Sequence, residues 1–149
     1  MTRFAYLIII SLLCFGCTHN NGDIGPLFGT WVLDGMTVDG DKQDIGPDDT
    51  FMQFQGKIVM TKLIDERHTM LVYSVGTWER DGDVMELDYT HYDDNNEPGT
   101  GIYRAPTWLL LETDAINSLQ ILSLNNRHMT LQHTTAEGAI ATYNFRKTF

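Results

Sequence analysis

The sequence predicts an all-β fold, and three observations support this prediction. Apolar and polar residues alternate along residues 129–132 and 139–146, as expected for strands with one buried face. Helical periodicity is scarce beyond the N-terminal segment. Pairs containing a residue that tolerates positive φ recur at short intervals, and each predicts a tight hairpin: Gln55-Gly56, Asp81-Gly82, Asn125-Asn126 and Glu137-Gly138.

The segments between these turns predict eight strands. They are placed near residues 28–38, 50–55, 57–64, 69–80, 83–91, 119–124, 128–134 and 139–147. Consecutive hairpins with one apolar face form a sandwich or a closed barrel. Closure removes exposed strand edges, and eight strands enclose an interior that fits side chains or one small ligand. We therefore predict an eight-stranded antiparallel up-and-down barrel over residues 27–149. The composition of residues 91–107 indicates a long loop, and residues 108–112 could form a further strand or a short helical turn.

The first 16 residues have the pattern of a signal peptide. Arg3 supplies one positive charge, and residues 4–13 are apolar apart from one serine. Gly16 then precedes Cys17, and this stretch resembles the lipobox of bacterial lipoproteins, in which the chain is cut before a cysteine that receives a lipid. The resemblance implies a signal peptide over residues 1–16 and lipidation of Cys17. An ordinary cleaved signal and an uncleaved anchor are the alternatives.

Removal of residues 1–16 leaves 133 residues, enough for one domain with a packed core. It removes one charge, Arg3, so the net charge changes from −10 to −11. Such an acidic chain argues against binding to the phosphates of nucleic acids. Residues 17–26 are rich in Asn and Gly and predict a flexible tether. The expected location is the cell envelope, on the periplasmic side of the outer membrane, with the membrane bound through the lipid. The sequence does not decide between the leaflets or name a protein partner.

Gly29-Thr30-Trp31 at the start of the first strand and Arg146 in the last strand resemble the lipocalin-like families. In these families a G-x-W tryptophan packs at the closed end of the barrel beneath an arginine from the final strand. The resemblance therefore implies that Trp31 plugs the barrel and that Arg146 covers it by a cation–π contact. The paired-strand phrases at residues 76–87 and 121–131 resemble those of uncharacterised lipocalin-like lipoproteins of Gram-negative cell envelopes.

The sequence contains no H-E-x-x-H, G-x-S-x-G or Walker motif, so the enzyme classes defined by these motifs have no support. We predict no catalytic residues, no metal site and no cofactor. His128 and His133 are five residues apart in one strand and should point to opposite faces. His91 with Asp93 and Asp94 is a better cluster for an ion, but a solvated acidic loop is favoured.

Aromatic residues suggest a site for a small molecule. The pocket is predicted to include Tyr73, Trp78, Tyr89, Trp108 and Tyr143, with a mouth framed by residues 39–49 and 92–107. The predicted function is non-enzymatic binding of a small apolar or amphipathic molecule. The alternative is a protein-interaction module, an inhibitor or accessory subunit, whose barrel is filled by these side chains.

Overall fold

A computed structural model describes residues 22–44, 49–64, 70–90 and 102–148 of the 149-residue chain. Most of this part of the chain is in β-strands. Its strands are β1 (Gly29–Val38), β2 (Asp41–Lys42), β3 (Thr50–Gln55), β4 (Ile58–Ile64), β5 (Met70–Asp81), β6 (Val84–Asp88), β7 (Ile116–Leu124), β8 (His128–Thr134) and β9 (Ile140–Lys147). Two 3₁₀ helices, Gly22–Leu27 and Thr107–Leu109, complete the described elements. Neither helix is long and apolar enough to cross a membrane.

The sheet closes on itself through its first and last strands. Each strand from β3 to β9 is antiparallel to the next, and β1 pairs with β3 through residues 29–32. The opposite edge of β1 pairs with β9 through residues 31–38, which completes the ring. The two-residue strand β2 adds to β1 where β3 has diverged from it. The predicted closed eight-stranded antiparallel barrel is therefore confirmed, with β2 as an addition.

Glycines at positive φ make three of the predicted hairpins possible. Gly56, Gly82 and Gly138 have φ values of 57°, 59° and 87°, which side chains with a Cβ rarely adopt. The turn at Asn125 is stabilised differently, because its side-chain oxygen accepts hydrogen bonds from the backbone N–H groups of Arg127 and His128. The observed strands follow the predicted ones closely. The largest differences are that β6 ends at Asp88, three residues earlier than predicted, and that β7 begins at Ile116, three residues earlier than predicted.

Alternation along the strands fills the barrel with apolar side chains. On β9, Ala141, Tyr143 and Phe145 are buried while the residues between them face outward. A bulge in β7 between Ile121 and Ser123 shifts this pattern, so that Ser123 is exposed and Leu124 packs against the core. The buried side chains form one continuous hydrophobic core, and burial of this apolar surface is the main source of stability for the barrel.

The two ends of the barrel differ in construction. One end carries the tight turns that follow β3, β5 and β7, together with the helix Gly22–Leu27. The other end carries the longer connections, including residues 102–115, which return the chain from β6 to β7. The first end is called the closed end below, and the second the mouth.

Candidate functional site

Trp31 plugs the closed end. Its ring is fully buried, and its Nε1–H donates a hydrogen bond of 2.8 Å to the carbonyl of Leu27. Leu27 is also fully buried, so the helix Gly22–Leu27 and the tryptophan seal this end together. Gly29 connects them at φ 118°, a backbone conformation that favours glycine. Residues 22–26, five of the six residues of this helix, belong to the segment predicted as a flexible tether, and their backbone forms the 3₁₀ helix with a kink at Gly25.

The cation above Trp31 is Lys147, and the prediction of Arg146 in this position was wrong. Lys147 Nζ lies 5.0 Å from the centroid of the Trp31 ring and donates to the carbonyl of Pro26 at 2.7 Å. Burial lowers the pKa of this amine. Arg146 is on the outer face of β9, where its Nε–H donates to Asp34 Oδ1 at 2.7 Å. The alternation that buries Phe145 therefore directs residue 147 inward and residue 146 outward.

A short turn covers the mouth. The helix Thr107–Leu109 places Leu109 inside the barrel rim, where it is buried, and Leu110 follows in a left-handed conformation with φ 56°. Two side chains from the barrel wall hold this turn. Trp108 Nε1–H donates to Thr50 Oγ1 at 3.1 Å, and the Tyr143 hydroxyl donates to the Leu109 carbonyl. Residues 105–111 are called the cover below. The structure thus selects the helical turn from the two predicted alternatives.

Asn117 anchors the chain where the cover returns to β7. This buried side chain accepts a hydrogen bond from the Glu112 N–H at 2.7 Å and donates to the Glu112 carbonyl at 2.8 Å. It also donates to the Ala115 carbonyl at 3.2 Å. One amide therefore satisfies several backbone groups of a segment that has no strand partner of its own.

Beneath the cover lies a small apolar void. It consists of narrow gaps between the packed side chains of the cover and of the barrel wall, and these gaps do not admit a water molecule. It is lined by Met52, Leu109, Leu111, Leu119, Leu131, Tyr143 and Phe145. The cover contributes Leu109 and Leu111 to this lining. Displacement of the cover would therefore enlarge the void and join it to solvent.

Three hydroxyl groups on neighbouring strands face the barrel interior beside this void. Thr61 on β4 and Ser74 on β5 are direct cross-strand partners, and both are fully buried. Tyr89, directly after β6, is also fully buried. None of the three hydroxyls has a hydrogen-bond partner among the described residues. Thr61 is also the cross-strand partner of Met52, which places these groups next to the lining of the void.

Burial controls the ionisation of the interior phenols. It raises the pKa of Tyr89 far above its ordinary value of 10.0, while the neighbouring Thr61 hydroxyl offsets this in small part. The Thr61 and Tyr89 oxygens do not reach hydrogen-bonding geometry. Burial also raises the pKa of Tyr143, and the charge that Tyr89 would carry adds to this effect. The two phenols are therefore close enough to interact, and the interior favours uncharged groups.

The five aromatic residues predicted to line a pocket lie in different places. Tyr89 and Tyr143 face the interior of the barrel near the cover. Trp108 is half-buried in the cover. Trp78 is inside but near the closed end, where its Nε1–H donates to the Gly56 carbonyl at 3.0 Å. Tyr73 lies outside the barrel, because residues of β5 with its parity face outward.

The outward position of Tyr73 is fixed by two neighbours on β4. Its hydroxyl contacts Met60 Sδ, and Lys62 Nζ lies 5.6 Å from its ring centroid. Sequence reasoning did not select Thr61, Ser74, Leu109 or Lys147. Alternation along β4 and β9 could have shown that Thr61 and Lys147 face the interior of the barrel.

The histidine and acidic candidates show no metal centre in the described residues. His128 is exposed and His133 is buried, which confirms that they point to opposite faces. His133 Nδ1 lies 3.0 Å from the Ser118 carbonyl, so it carries the hydrogen, and its buried Nε2 has no partner in the described chain. His91, Asp93 and Asp94 lie outside the described residues, as does Cys17. Across the described ranges, no three His, Cys, Asp or Glu side chains could hold a metal ion.

A closed antiparallel barrel of eight strands, sealed at one end by a tryptophan and covered at the other by a turn, defines the class of small β-barrels with a single mouth. Such a barrel is consistent with small-molecule binding. Residues 11–148 match the family described as "Lipocalin-like domain", and the chain belongs to this family. Curated proteins give no significant sequence match.

Two solved structures from Bacteroides share the fold. A lipocalin-like protein from Bacteroides uniformis is similar with a TM-score of 0.61 and 17% identity, covering 83% of this chain and 100% of that chain. An uncharacterized protein from Bacteroides eggerthii is similar with a TM-score of 0.60 and 18% identity, covering 82% of this chain and 99% of that chain. The similarity extends over almost the whole of both neighbouring chains, so this chain shares their fold.

Proposed function

We propose that the protein is a lipid-anchored lipoprotein of the cell envelope whose barrel binds a small apolar or amphipathic molecule without catalysing a reaction. The observation that carries the binding role is the unequal construction of the two ends. The closed end is a solid core, whereas the mouth is covered by a turn that has apolar side chains in the interior and no strand partner. Leu109 and Leu111 occupy the position that the apolar part of a ligand would take.

The bonds of the cover support a role as a movable part. It is held by the contacts of Trp108 with Thr50 and of Tyr143 with Leu109. Hydrogen bonds of this kind contribute only about 0.5–1.5 kcal/mol each to stability. A ligand that buries its own apolar surface in the barrel can compensate for their loss and for the exposure of the two leucines.

The binding role is tested with residues 17–149 carrying Cys17→Ser, which omits the predicted signal. Every described strand lies within this part, and the fold is checked first by near-UV circular dichroism. We expect the neutral apolar dye N-phenyl-1-naphthylamine to bind with a dissociation constant in the micromolar range, about −8 kcal/mol. Leu109→Ala should lower the dissociation constant, because it removes most of a side chain that occupies the proposed ligand position. Leu122→Ala, on the outer face, is the matched control. A folded protein that leaves the dye unchanged at every concentration contradicts the binding role.

A second candidate function, contact with a protein partner, is favoured by the packing of the interior. Trp31, Phe54 and Trp78 fill the region near the closed end, and the void beneath the cover admits no water. On the outer face of β7 and β8, an open depression of about 500 Å³ runs beside exposed Ile116. A folded barrel that binds no small apolar molecule would support this alternative.

The anchor is proposed from the sequence and has its own test. Mass spectrometry of the native protein should find Cys17 as the first residue, with acyl chains attached. A single chain gives only marginal membrane binding, so more than one is expected. Cys17→Ser should leave the protein unprocessed or release it from the membrane. An unmodified Cys17 in the mature protein contradicts the anchor and leaves the binding role untouched.

A further inference from the structure

The buried hydroxyls of Thr61, Ser74 and Tyr89 are unfavourable for the empty barrel. Each loses its hydrogen bonds to water on folding, and none is replaced within the described structure. Native proteins pair most buried polar groups, so three unpaired hydroxyls on adjoining strands call for an explanation. A ligand that hydrogen-bonds to them would remove the cost.

The arrangement of these side chains directs them toward one place. The ring of Tyr89 lies against Gly76 on β5, and the neighbouring Thr61 hydroxyl is close enough to affect its pKa. Ser74 is the cross-strand partner of Thr61. The hydroxyls therefore form one polar patch, called the hydroxyl patch below, on a wall that is otherwise apolar.

The charge of the surroundings limits what the patch can accept. Among the buried residues that the structure describes, none is Lys, Arg, Asp or Glu. The inward-facing cation Lys147 is at the closed end above Trp31, and the buried His133 is on β8, which does not adjoin β4 or β5. An ionised head group would lose its hydration without gaining a counter-ion at the patch, which is strongly unfavourable. Hydroxyls both donate and accept, so they suit a neutral group that does either.

We infer that the ligand is an uncharged amphipathic molecule, an apolar chain ending in a hydroxyl or carbonyl group that hydrogen-bonds to Thr61, Ser74 and Tyr89. This inference rests on the proposed binding function. The apolar chain replaces the cover side chains Leu109 and Leu111, and the head group contacts the hydroxyl patch. Ionised fatty acids of the same length are disfavoured.

The test compares four ten-carbon compounds that displace N-phenyl-1-naphthylamine from residues 17–149 with Cys17→Ser: 1-decanol, 2-decanone, n-decane and decanoate. We expect decanol and decanone to bind at least about tenfold more tightly than decanoate, which corresponds to roughly 1.4 kcal/mol. Thr61→Val combined with Ser74→Ala should abolish the advantage of decanol over decane and leave the affinity for decane unchanged. Thr130→Val, on the outer face of β8, should change neither affinity.

A stability measurement separates a binding role from a structural one. Thr61→Val replaces an unpartnered buried hydroxyl by a methyl group, and Ser74→Ala removes one, so neither change breaks a hydrogen bond and both should be neutral or stabilising. The double variant should therefore melt at the same or a higher temperature than the unsubstituted protein. A lower melting temperature would mean that the hydroxyls stabilise the fold, and it would overturn the inference.

The outcomes also separate this inference from the proposed function. If decanoate binds more tightly than decanol, and His133→Gln removes this preference, the barrel binds an anionic ligand and the neutral head group is wrong. If decane, decanol and decanone bind equally, the hydroxyl patch plays no part. If the dye and all four compounds fail to bind a folded protein, the binding function itself is wrong.

Discussion

The ring of Tyr89 occupies the space that a side chain at Gly76 would need. A Cβ at residue 76 would lie 2.8 Å from Tyr89 Cδ1 and 2.6 Å from the carbonyl oxygen of Asp88. Glycine is therefore required in this strand for steric reasons, although it weakens strands elsewhere. Together the two residues place a phenol in the interior of the barrel.

Gly76→Ala should destabilise the protein by roughly 1–3 kcal/mol, because the closest contact is with backbone that cannot move aside. Chemical denaturation measures this change. Gly35→Ala is the control, since no atom beyond its own chain neighbours lies within 4 Å of its Cβ position, and a change within about 0.5 kcal/mol is expected there. Equal effects at the two positions would contradict the steric argument.

Trp31 and Lys147 should be coupled energetically. Trp31→Ala should cost about 3–5 kcal/mol through loss of the buried ring. In a double-mutant cycle with Trp31→Leu and Lys147→Met, the coupling energy should reach about 0.5–1 kcal/mol from the cation–π contact. The same cycle with Arg146→Met should be additive, because Arg146 pairs with Asp34 on the outer face. Coupling to Arg146 and not to Lys147 would restore the expectation based on family resemblance.

Alkaline pH should destabilise the protein through its interior phenols. Tyr89 and Tyr143 have folded-state pKa values above the ordinary value of 10.0. The folded state therefore retains protons that the unfolded state releases, and stability falls as the pH rises above about 10. Tyr89→Phe should reduce this slope in denaturation experiments, and at neutral pH it should be neutral or stabilising. Tyr73→Phe, on the outer face, is the control, and an equal reduction there would exclude the interior phenols as the cause.

Loss of the Asn117 side chain should loosen the connection between the cover and β7. Asn117→Ala removes bonds to Glu112 and Ala115 and leaves their backbone groups without a partner, at a cost of roughly 1.5–3 kcal/mol. Hydrogen exchange should accelerate at residues 109–117 more than in β8 and β9. Asn144→Ala, which removes an exposed contact with Thr130, should change stability by no more than about 0.5 kcal/mol. Unchanged exchange near residue 112 would contradict the anchoring role.

The strands could be predicted because their signals are local. Alternation shows which residues share a face, and Gly56, Gly82 and Gly138 mark turns whose backbone conformation favours glycine. The cover could not be predicted in this way. Its contact between Trp108 and Thr50 joins residues 58 positions apart, and no periodic pattern encodes such a contact.

The errors at the predicted site have two different physical origins. On β9, alternation from Tyr143 and Phe145 indicates Lys147 as the inward cation, but family resemblance suggested Arg146. On β5, Tyr73 and Val75 face outward and Ser74 faces inward, so polarity does not reveal which face is buried. The inward face of β5 is fixed by the packing of Trp78 against Phe54 and by the fit of Gly76 to Tyr89.

The helix Gly22–Leu27 lies at the closed end, and this fixes how the proposed anchor would orient the barrel. From Cys17 to Gly22 a fully extended chain reaches about 17 Å at most. The lipid would thus hold Trp31 and its neighbours toward the bilayer and turn the cover toward the aqueous compartment. The ligand would then enter the barrel from the aqueous compartment and not directly from the bilayer. A soluble carrier or free diffusion is therefore the expected route by which it reaches the mouth.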